Sequence, residues 1–367
     1  MKIDKIIIHH INLPLIEPFI TWFGKIDVRE TLIVEVHSGD YIWYWESPHL
    51  HIPMYTSEYL EGWKNLLIKH ILPRFINREI DDPRDTRNIY KDIKWNNISK
   101  ASIEMAIWDL FAKKSGLPLY KYLWSTKNYS QVWISIGIQK DIDSLIQRIW
   151  IDLKDWYKRI KIKIKPGTDL DVLESIRKVF PDLKLMVDAN SSYSLEKYTD
   201  LQKMDKYNLM MIEQPLGEWD IIDHSFLQKE LQTPICLDES IHTYDDARKA
   251  IQLESCKIIN IKPARLWWIW ETLEIHDMCV EKSIPLWVGG MMESGIWRAF
   301  LDHIATLPWF ILPWDNVPQK TYFEDDIIDT KTVFENGIMT VGDQHWIWVE
   351  INQEKLKKYL IDTTIIK

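Results

Sequence analysis

The sequence predicts an α/β protein in which a (β/α) barrel is joined to a smaller α+β domain. Five ionisable residues recur at nearly constant steps of about 25 residues, each at the end of a short apolar run, and they are Lys163, Asp188, Glu213, Asp238 and Lys262. About 25 residues accommodate one strand, one helix and two short loops. A chain of 367 residues is long enough for such a barrel and one further domain.

Composition excludes several classes of function. The net charge of -9 argues against a nucleic-acid or anionic-membrane surface. The partner that we expect, a small-molecule carboxylate substrate, follows instead from the site residues below. The three cysteines are widely spaced and form no C-x-x-C pair, which predicts neither a disulfide framework nor a zinc site. No export signal or long apolar span is present. We therefore expect a cytoplasmic protein.

Residues 1–125 are predicted to form the α+β domain. Strand-like runs surround Ser38-Gly39-Asp40, which is typical of a hairpin turn. The clearest helix is SKASIEMAIWDLFAKKSG, for which we expect Ser99 as the N-cap and Gly116 as the stop. We expect the tail, residues 316–367, to pack back on this domain.

Residues 126–315 are predicted to form the barrel, with eight candidate strands. These strands lie in ISIGI, RIKIKIK, LKLMVDAN, LMMIEQP, TPICLDES, CKIINIKP, IPLWVGG and FILPW. The carboxyl ends of barrel strands converge on one mouth, where catalytic groups usually lie. The repeated ionisable residues therefore predict an active site at that mouth.

The strand RIKIKIK carries lysines on one face and isoleucines on the other, because side chains alternate along a strand. Lys161 and Lys163 are costly to bury inside a barrel unless anionic groups face them. Asp188, Glu213 and Asp238 would supply that charge from the next three strands. An isolated strand of this kind is more often a solvated amphipathic strand, but the three acids in register favour the buried site.

Three carboxylates at one mouth repel each other unless a cation joins them. Oxygen ligands without histidine or cysteine favour Mg²⁺, with Mn²⁺ as the alternative. Singly, Asp188 and Asp238 could each be a helix cap. Together with Glu213 they predict a metal site.

The two lysines that frame the acids predict acid–base chemistry. A lysine beside a dication and a second lysine loses affinity for its proton, so Lys163 is a candidate base, with Lys161 close by. Lys262 approaches from the far side of the barrel. The predicted reaction class is removal of a proton next to a carboxylate, with the dication stabilising the enediolate.

These residues carry a resemblance to the enolase superfamily, in its muconate-lactonizing subgroup, and within it to the o-succinylbenzoate synthase and N-acylamino acid racemase families. The matching stretches include RIKIKIKPG, LMVDANSSY, MMIEQPL, CKIINIKP and GGMMESGI. The resemblance implies a modified TIM barrel closed by a capping domain built from residues 1–125 and the tail. It also implies that Asn190 and Glu239 support the metal ligands.

Substrate contacts are implied on two cap loops and on later barrel loops. The cap loops are residues 19–23 and 46–55, the second of which contains Tyr55. Further candidates are Ser135, Gly290, Met291, Met292 and Glu293. His49 and His51 form an H-x-H pair without a third ligand, so we expect both to be solvated rather than metal-bound.

Three functions follow from the resemblance. The first is a Mg²⁺-dependent lyase that makes o-succinylbenzoate for menaquinone biosynthesis, and the second is an N-acylamino acid racemase with Lys163 and Lys262 as two bases. A homo-oligomer is expected by analogy alone.

The third function is a catalytically impaired barrel, because the chain has 20 Trp but only 12 Gly. Tryptophan stands where relatives have glycine, and it adopts a glycine backbone only at a cost. The positions concerned are Trp45, Trp124, Trp133, Trp267, Trp268, Trp297, Trp314, Trp346 and Trp348. We expect Trp267, Trp268 and Trp297 to threaten the substrate pocket.

Overall fold

The computed structural model describes residues 2–21, 24–155, 157–267, 269–315, 322–330, 333–347 and 349–366. The strands are β1 (Lys5–Ile20), β2 (Lys25–Ser38), β3 (Tyr41–Glu46), β4 (Tyr129–Ile136), β5 (Arg159–Lys163), β6 (Lys184–Asp188), β7 (Ile212–Glu213), β8 (Ile235–Leu237), β9 (Ile258–Ile261), β10 (Leu286–Val288), β11 (Trp314–Asp315), β12 (Val333–Glu335), β13 (Ile338–Thr340) and β14 (Leu360–Ile366).

The helices fall into two groups, one in the first part of the chain and one around the barrel. They are α1 (Leu60–Leu66), α2 (Thr86–Tyr90), α3 (Asn97–Lys114), α4 (Leu119–Tyr122), α5 (Ile142–Lys154), α6 (Asp169–Val179), α7 (Tyr198–Gln202), α8 (Ile222–Glu230), α9 (Tyr244–Gln252), α10 (Ile269–Lys282), α11 (Gly295–Ile304) and α12 (Gln353–Lys358). No helix among the described residues is long and apolar enough to cross a membrane.

The barrel is formed by β4 to β11. Strands β4 to β10 pair in parallel with their neighbours in chain order, and β11 pairs with β4. A parallel bridge between Leu286 and Phe310 links β10 to the segment just before β11, and the Leu312 N–H donates to the Leu286 carbonyl at 3.2 Å. All eight predicted strands are present, although the last lies at Trp314–Asp315 rather than across the whole run FILPW.

Barrel strands are short and apolar because both of their faces are buried. The outward isoleucines of β5, Ile160 and Ile162, are buried against the surrounding helices, while Lys161 points inward and is also buried. Side-chain caps begin two of the helices. Asp141 accepts from the Ser144 N–H at 2.8 Å before α5, and Thr243 accepts from the Asp246 N–H at 3.1 Å before α9.

The capping sheet is antiparallel, with the order β14-β1-β2-β3. The predicted hairpin joins β2 and β3 through Gly39, which has a φ of 56°. Helices α1 and α3 pack beneath this sheet in a second apolar core. The sheet and its helices stand at the start of the chain, as the resemblance implies.

Helix α3 begins differently from our prediction. Ser99 is not its N-cap, because the helix starts at Asn97 and Ser99 lies in the first turn. The carboxylate of Glu58 instead accepts from the N–H groups of Ile98 and Ser99, at 2.9 and 3.0 Å. The predicted stop is confirmed, since Gly116 has a φ of 67° just beyond the last turn.

The tail contacts both parts of the molecule. Strand β14 pairs with β1 of the capping sheet. The hairpin of β12 and β13 instead pairs with β4 of the barrel. The tail therefore packs on the first domain, as expected, and also contacts the barrel.

Candidate active site

The register of the barrel strands sets the repeated ionisable residues at one level. Lys163 is the partner of Asp188 across β5 and β6, and Asp188 is the partner of Glu213 across β6 and β7. Asp238 directly follows β8, and Lys262 directly follows β9. Parallel strands in register present the same end to the same mouth, so a period in the sequence becomes a row of side chains in space.

Lys161 lies among three carboxylates. Its Nζ is 3.0 Å from Asp188 Oδ2, 2.8 Å from Glu213 Oε2 and 2.9 Å from Asp315 Oδ2. Burial disfavours the ammonium form, but the attraction of the three acids outweighs it and raises the pKa of Lys161 well above its ordinary value. Our expectation that anions compensate the buried lysine is confirmed.

Among the described residues, Lys163 is held by residues of the barrel. Its Nζ donates to Asp188 Oδ2 at 2.6 Å and to Asn190 Oδ1 at 2.7 Å. The amide of Asn190 in turn donates to Glu239 Oε1 at 2.8 Å. Asn190 therefore connects the lysine of β5 to the acid that follows Asp238.

Lys262 is held from two sides. Its Nζ donates to Asp238 Oδ2 at 2.8 Å and also to the hydroxyl of Tyr55, which belongs to the loop between β3 and α1. Arg265 forms a second ion pair with Asp238, at 2.7 Å. The two lysines thus lie on different acids at opposite ends of the carboxylate row.

Burial and mutual repulsion shape the carboxylates. Burial favours the neutral acid, but Lys161 and Lys163 lower the pKa of Asp188 to about 2, and Arg265 and Lys262 likewise hold the pKa of Asp238 below its ordinary value. Burial and the charge of Asp188 raise the pKa of Glu213 well above its ordinary value. Burial and the charge of Asp238 raise the pKa of Glu239 to about 8. In this arrangement Glu213 and Glu239 therefore favour their neutral forms, whereas Asp188 and Asp238 stay ionised beside their basic partners.

The donor set suits a hard divalent cation. Asp188, Glu213 and Asp238 offer only carboxylate oxygens, although Glu213 Oε2 and Asp238 Oδ1 already face Lys161 and Arg265 at 2.8 and 2.7 Å. In this arrangement the acids are turned onto the lysines, and the described part of the chain shows no three such side chains gathered around one point. The all-oxygen chemistry of these acids, not a preformed cage, is what fits a divalent cation here.

A single pocket brings the predicted lysines and substrate-contact residues together. Its lining includes Lys161, Lys163, Lys262, Asn190, Ser135, Tyr55, Gly290, Met291, Met292 and Glu293. Phe19 and Leu50 from the two cap loops complete it, while Trp22 and Phe23 lie outside the described residues. The pocket is therefore walled by the barrel mouth on one side and by the cap on the other.

Sequence reasoning missed several residues of the site. Asp315 of the last strand pairs with Lys161. The sequence could have indicated this residue, because it is an acid that directly follows the strand-like run FILPW. Asn260 donates to Glu213 Oε1 at 2.8 Å. Gly289 has no room for a side chain, since a Cβ there would lie 2.5 Å from Asn260 Oδ1 and 2.7 Å from Lys262 Cε. No local sequence pattern predicts the hydrogen bond of Asn260 or the close packing at Gly289, because each depends on a neighbouring strand.

The loop that carries Tyr55 is fastened at both ends. Arg29 donates to the Ser47 carbonyl at 2.8 Å, and Glu58 accepts from Ser99 Oγ at 2.7 Å. His49 lies inside this network, where its Nδ1 is 2.6 Å from Ser47 Oγ. The prediction that His49 is solvated is wrong, because its side chain is fully buried and supports the loop.

The tryptophans that the structure describes lie away from the pocket lining. Among the residues that the structure describes, no tryptophan lines it. Trp267 instead lies beneath Lys100, whose Nζ is 3.8 Å from the ring centroid, and Trp297 is part of helix α11. The predicted threat from these two is therefore wrong, while Trp268 lies outside the described residues.

The glycine-like backbone is confirmed at only some of the predicted positions. Trp124, Trp267 and Trp346 have φ values of 62°, 75° and 59°. Four others occupy regular strands or a helix and need no glycine, and these are Trp45, Trp133, Trp297 and Trp314. Trp133 is buried in the barrel and donates to Asp315, while Trp348 lies outside the described residues.

The fold and its mouth define a capped (β/α)-barrel enzyme with lysines and acids at the carboxyl ends of its strands. Residues 7–123 match the mandelate racemase / muconate lactonizing enzyme N-terminal domain, and residues 146–355 match the enolase C-terminal domain-like family. The chain belongs to the enolase superfamily, and the predicted resemblance is confirmed.

Known proteins similar to the chain match over nearly its full length. An o-succinylbenzoate synthase of Geobacillus kaustophilus is 42% identical over 98% of this chain and 96% of its own. An N-succinylamino acid racemase of Thermus thermophilus is 38% identical over 96% of this chain and 95% of its own. The crystal structure of an enolase superfamily member from Listeria innocua, 35% identical, covers 100% of this chain and 99% of its own with a TM-score of 0.95.

Proposed function

We propose that this protein is a Mg²⁺-dependent o-succinylbenzoate synthase, acting in menaquinone biosynthesis. The observation that carries the proposal is the placement of Lys163 and Lys262 on different carboxylates at the two ends of one buried acid row. Several full-length relatives between 37% and 42% identical bear this name. The product is a benzoate, so loss of water from a hydroxylated cyclohexadiene carboxylate is the reaction required.

Lys163 removes the proton next to the substrate carboxylate, and the electrons of that C–H bond enter the enediolate. The same lysine then returns the proton to the departing hydroxyl, so that water leaves as the C–O bond breaks. Lys262 stays protonated and stabilises the negative charge from the opposite face. Asn190 would hold the Lys163 amino group in place for this proton transfer, through its 2.7 Å hydrogen bond.

Asp188, Glu213 and Asp238 would hold Mg²⁺, with Mn²⁺ as the alternative. A bound dication supplies electrostatic stabilisation of the charge that develops on the substrate carboxylate. Lys161 neutralises two of the same acids and keeps them oriented toward the mouth. Glu239 and Asn190 fix the orientation of this row from outside it.

The rest of the substrate would lie against Ser135 and the segment Gly290–Glu293, which form the far wall of the pocket. We also propose that residues 1–125 with the tail 316–367 act as the capping domain, and residues 126–315 as the catalytic domain. Support comes from the cap residues in the pocket lining and from β14, which returns to the capping sheet.

Racemisation of N-succinylamino acids is the second candidate activity. It is supported by the racemase relative and by the presence of one lysine at each end of the acid row. Here Lys163 and Lys262 would act as two bases on opposite faces of one carbon. A barrel with an impaired pocket is the third candidate, and it is weakened because the described tryptophans leave the pocket open.

A cytoplasmic location and a homo-oligomeric state complete the proposal. The three cysteines are buried and unpaired, which suits a reducing compartment. Light scattering coupled to size-exclusion chromatography measures the oligomeric state directly.

The decisive experiment follows the formation of o-succinylbenzoate from its hydrated precursor by the purified protein with Mg²⁺. Synthase activity that is lost in Lys163→Ala supports the proposal. Proton exchange into N-succinylamino acids without any dehydration would replace it by the racemase. A protein that binds Mg²⁺ but catalyses neither reaction would favour the impaired barrel.

A further inference from the structure

The two lysines of the site are supported by different parts of the molecule. Among the described residues, the hydrogen bonds of Lys163 are with Asp188 and Asn190, both on or next to β6. Those of Lys262 are with Asp238 of the barrel and Tyr55 of the cap loop. The capping domain therefore reaches one of the two lysines through a side chain of its own.

Tyr55, Lys262 and Asp238 form a closed triangle of hydrogen bonds. The Tyr55 hydroxyl donates to Asp238 Oδ2 at 3.0 Å and accepts from Lys262 Nζ, which itself donates to Asp238 Oδ2 at 2.8 Å. The ring of Tyr55 lies 4.6 Å from the same ammonium group. An ammonium group has three donors, so two are used in the triangle and one remains for the substrate.

We propose that Tyr55 is a positioning residue that holds Lys262 on its face of the reacting carbon. The inference rests on the proposed proton-transfer function and extends it to the capping domain. A lysine side chain has a flexible four-carbon stem, and a misplacement of about 1 Å at a reacting group is costly. The phenol removes that freedom on the Lys262 side.

The loop that carries Tyr55 is built to hold it in place. On one side Arg29 fixes the Ser47 carbonyl, and the Leu60 N–H donates to the Leu50 carbonyl at 2.9 Å. On the other side Glu58 is bound to the start of α3. The segment that presents the phenol to Lys262 is therefore bound to the rest of the cap at Glu58, three residues from Tyr55, and at Leu50 and Leu60, each five residues from it.

A positioning role differs measurably from a simple substrate contact, although Tyr55 also lines the pocket. Loss of a substrate contact slows proton removal from both faces of the carbon alike. Loss of the Lys262 support slows only the face that Lys262 serves. The ratio of the two rates therefore distinguishes the two roles.

The test is α-proton exchange in D₂O from each enantiomer of an N-succinylamino acid, with Lys262→Ala identifying the enantiomer that faces Lys262. In Tyr55→Phe, exchange from that enantiomer is expected to fall roughly ten- to a hundredfold, the value of a hydrogen bond to a charged group. Exchange from the other enantiomer is expected to stay within about twofold of the parent, since Lys163 is held by Asp188 and Asn190 of the barrel. Equal slowing of both enantiomers, or no slowing of either, overturns the proposal.

Tyr322→Phe is the matched control, because Tyr322 presents a second phenol to the same pocket. This variant is expected to leave the ratio of the two exchange rates unchanged, even if both rates change.

A wild-type protein without any exchange would count against two-base chemistry, not against the positioning role. In that case the crystal structure of Tyr55→Phe decides. Displacement of Lys262 Nζ by about 1 Å or more supports the role, and an unmoved Lys262 overturns it.

Discussion

The barrel and the cap build the same pocket by different means. In the barrel, strand register alone brings Lys163, Asp188 and Glu213 to one level. In the cap, Tyr55 reaches the site from an irregular loop that depends on buried partners such as His49 and Glu58. In the proposed mechanism, the reacting lysines and acids would lie on the regular barrel strands, while the residue that positions Lys262 would lie on the irregular loop of the cap.

The largest expected effect is on the barrel side. Lys163→Ala removes the proposed base, so the rate of dehydration is expected to fall roughly 10³- to 10⁴-fold. Lys165→Ala is the matched control, because Lys165 lies two residues further along the same segment and is exposed. Initial rates with Mg²⁺ measure both variants. Similar losses of activity in the two would contradict a special role for the lysine at position 163.

The metal prediction concerns the same acid row. Saturating Mg²⁺ at about 100 times its dissociation constant is expected to stabilise the folded protein by about 2.7 kcal/mol. Glu213→Gln is expected to abolish this stabilisation without lowering the stability of the metal-free protein, because the pKa of Glu213 is already raised by burial and by Asp188. Thermal unfolding with and without Mg²⁺ or a chelator measures both effects. A Mg²⁺ shift that survives in Glu213→Gln would contradict the assignment.

These two predictions rest on residues that the sequence alone could find. The period of about 25 residues located Lys163 and the acids, because a strand that ends in a barrel must present its last side chain to the mouth. Asn260 could not be found in this way, since its place in the site depends on a hydrogen bond to Glu213 of another strand. The contact between Tyr55 and Lys262 spans 207 residues and depends on how the cap is seated, which no local pattern encodes.

The contact between helix α3 of the cap and helix α10 of the barrel predicts that the stability of the protein depends on pH. Glu104 of α3 accepts from the Trp108 indole at 2.8 Å and from the Ile269 N–H of α10. Burial raises its pKa from 4.5 to about 8. Between these values the folded protein holds a proton that the unfolded chain releases, so its contribution to stability is full below pH 4.5 and is lost as the pH rises through 8.

Glu104→Gln removes the titrating carboxyl. The melting temperature of this variant is therefore expected to fall less than that of the parent between pH 5 and pH 8, and the difference corresponds to about one proton. Thermal unfolding at several pH values provides the measurement. Glu174→Gln is the control, because Glu174 lies on the exposed side of α6. An unchanged pH dependence in Glu104→Gln would show that this carboxyl is ionised in the folded protein.

The smallest effect concerns the tryptophans with a glycine-like backbone. Trp124 is exposed and has a φ of 62°, so Trp124→Gly is expected to stabilise the protein by about 1 kcal/mol. Trp150→Gly is the matched control, since Trp150 is an exposed tryptophan within helix α5, where glycine is expected to cost about 0.5 kcal/mol or more. Chemical denaturation of both variants checks the opposite signs, and equal signs would refute the backbone explanation.

The central claim is that Lys163 and Lys262 serve opposite faces of one reacting carbon. Nuclear magnetic resonance of α-proton exchange in D₂O, with each enantiomer of an N-succinylamino acid, tests it most directly. Lys163→Ala is predicted to exchange only one enantiomer, and Lys262→Ala only the other, with racemisation lost in both. If both variants lose exchange of the same enantiomer, the two lysines do not face each other across the carbon.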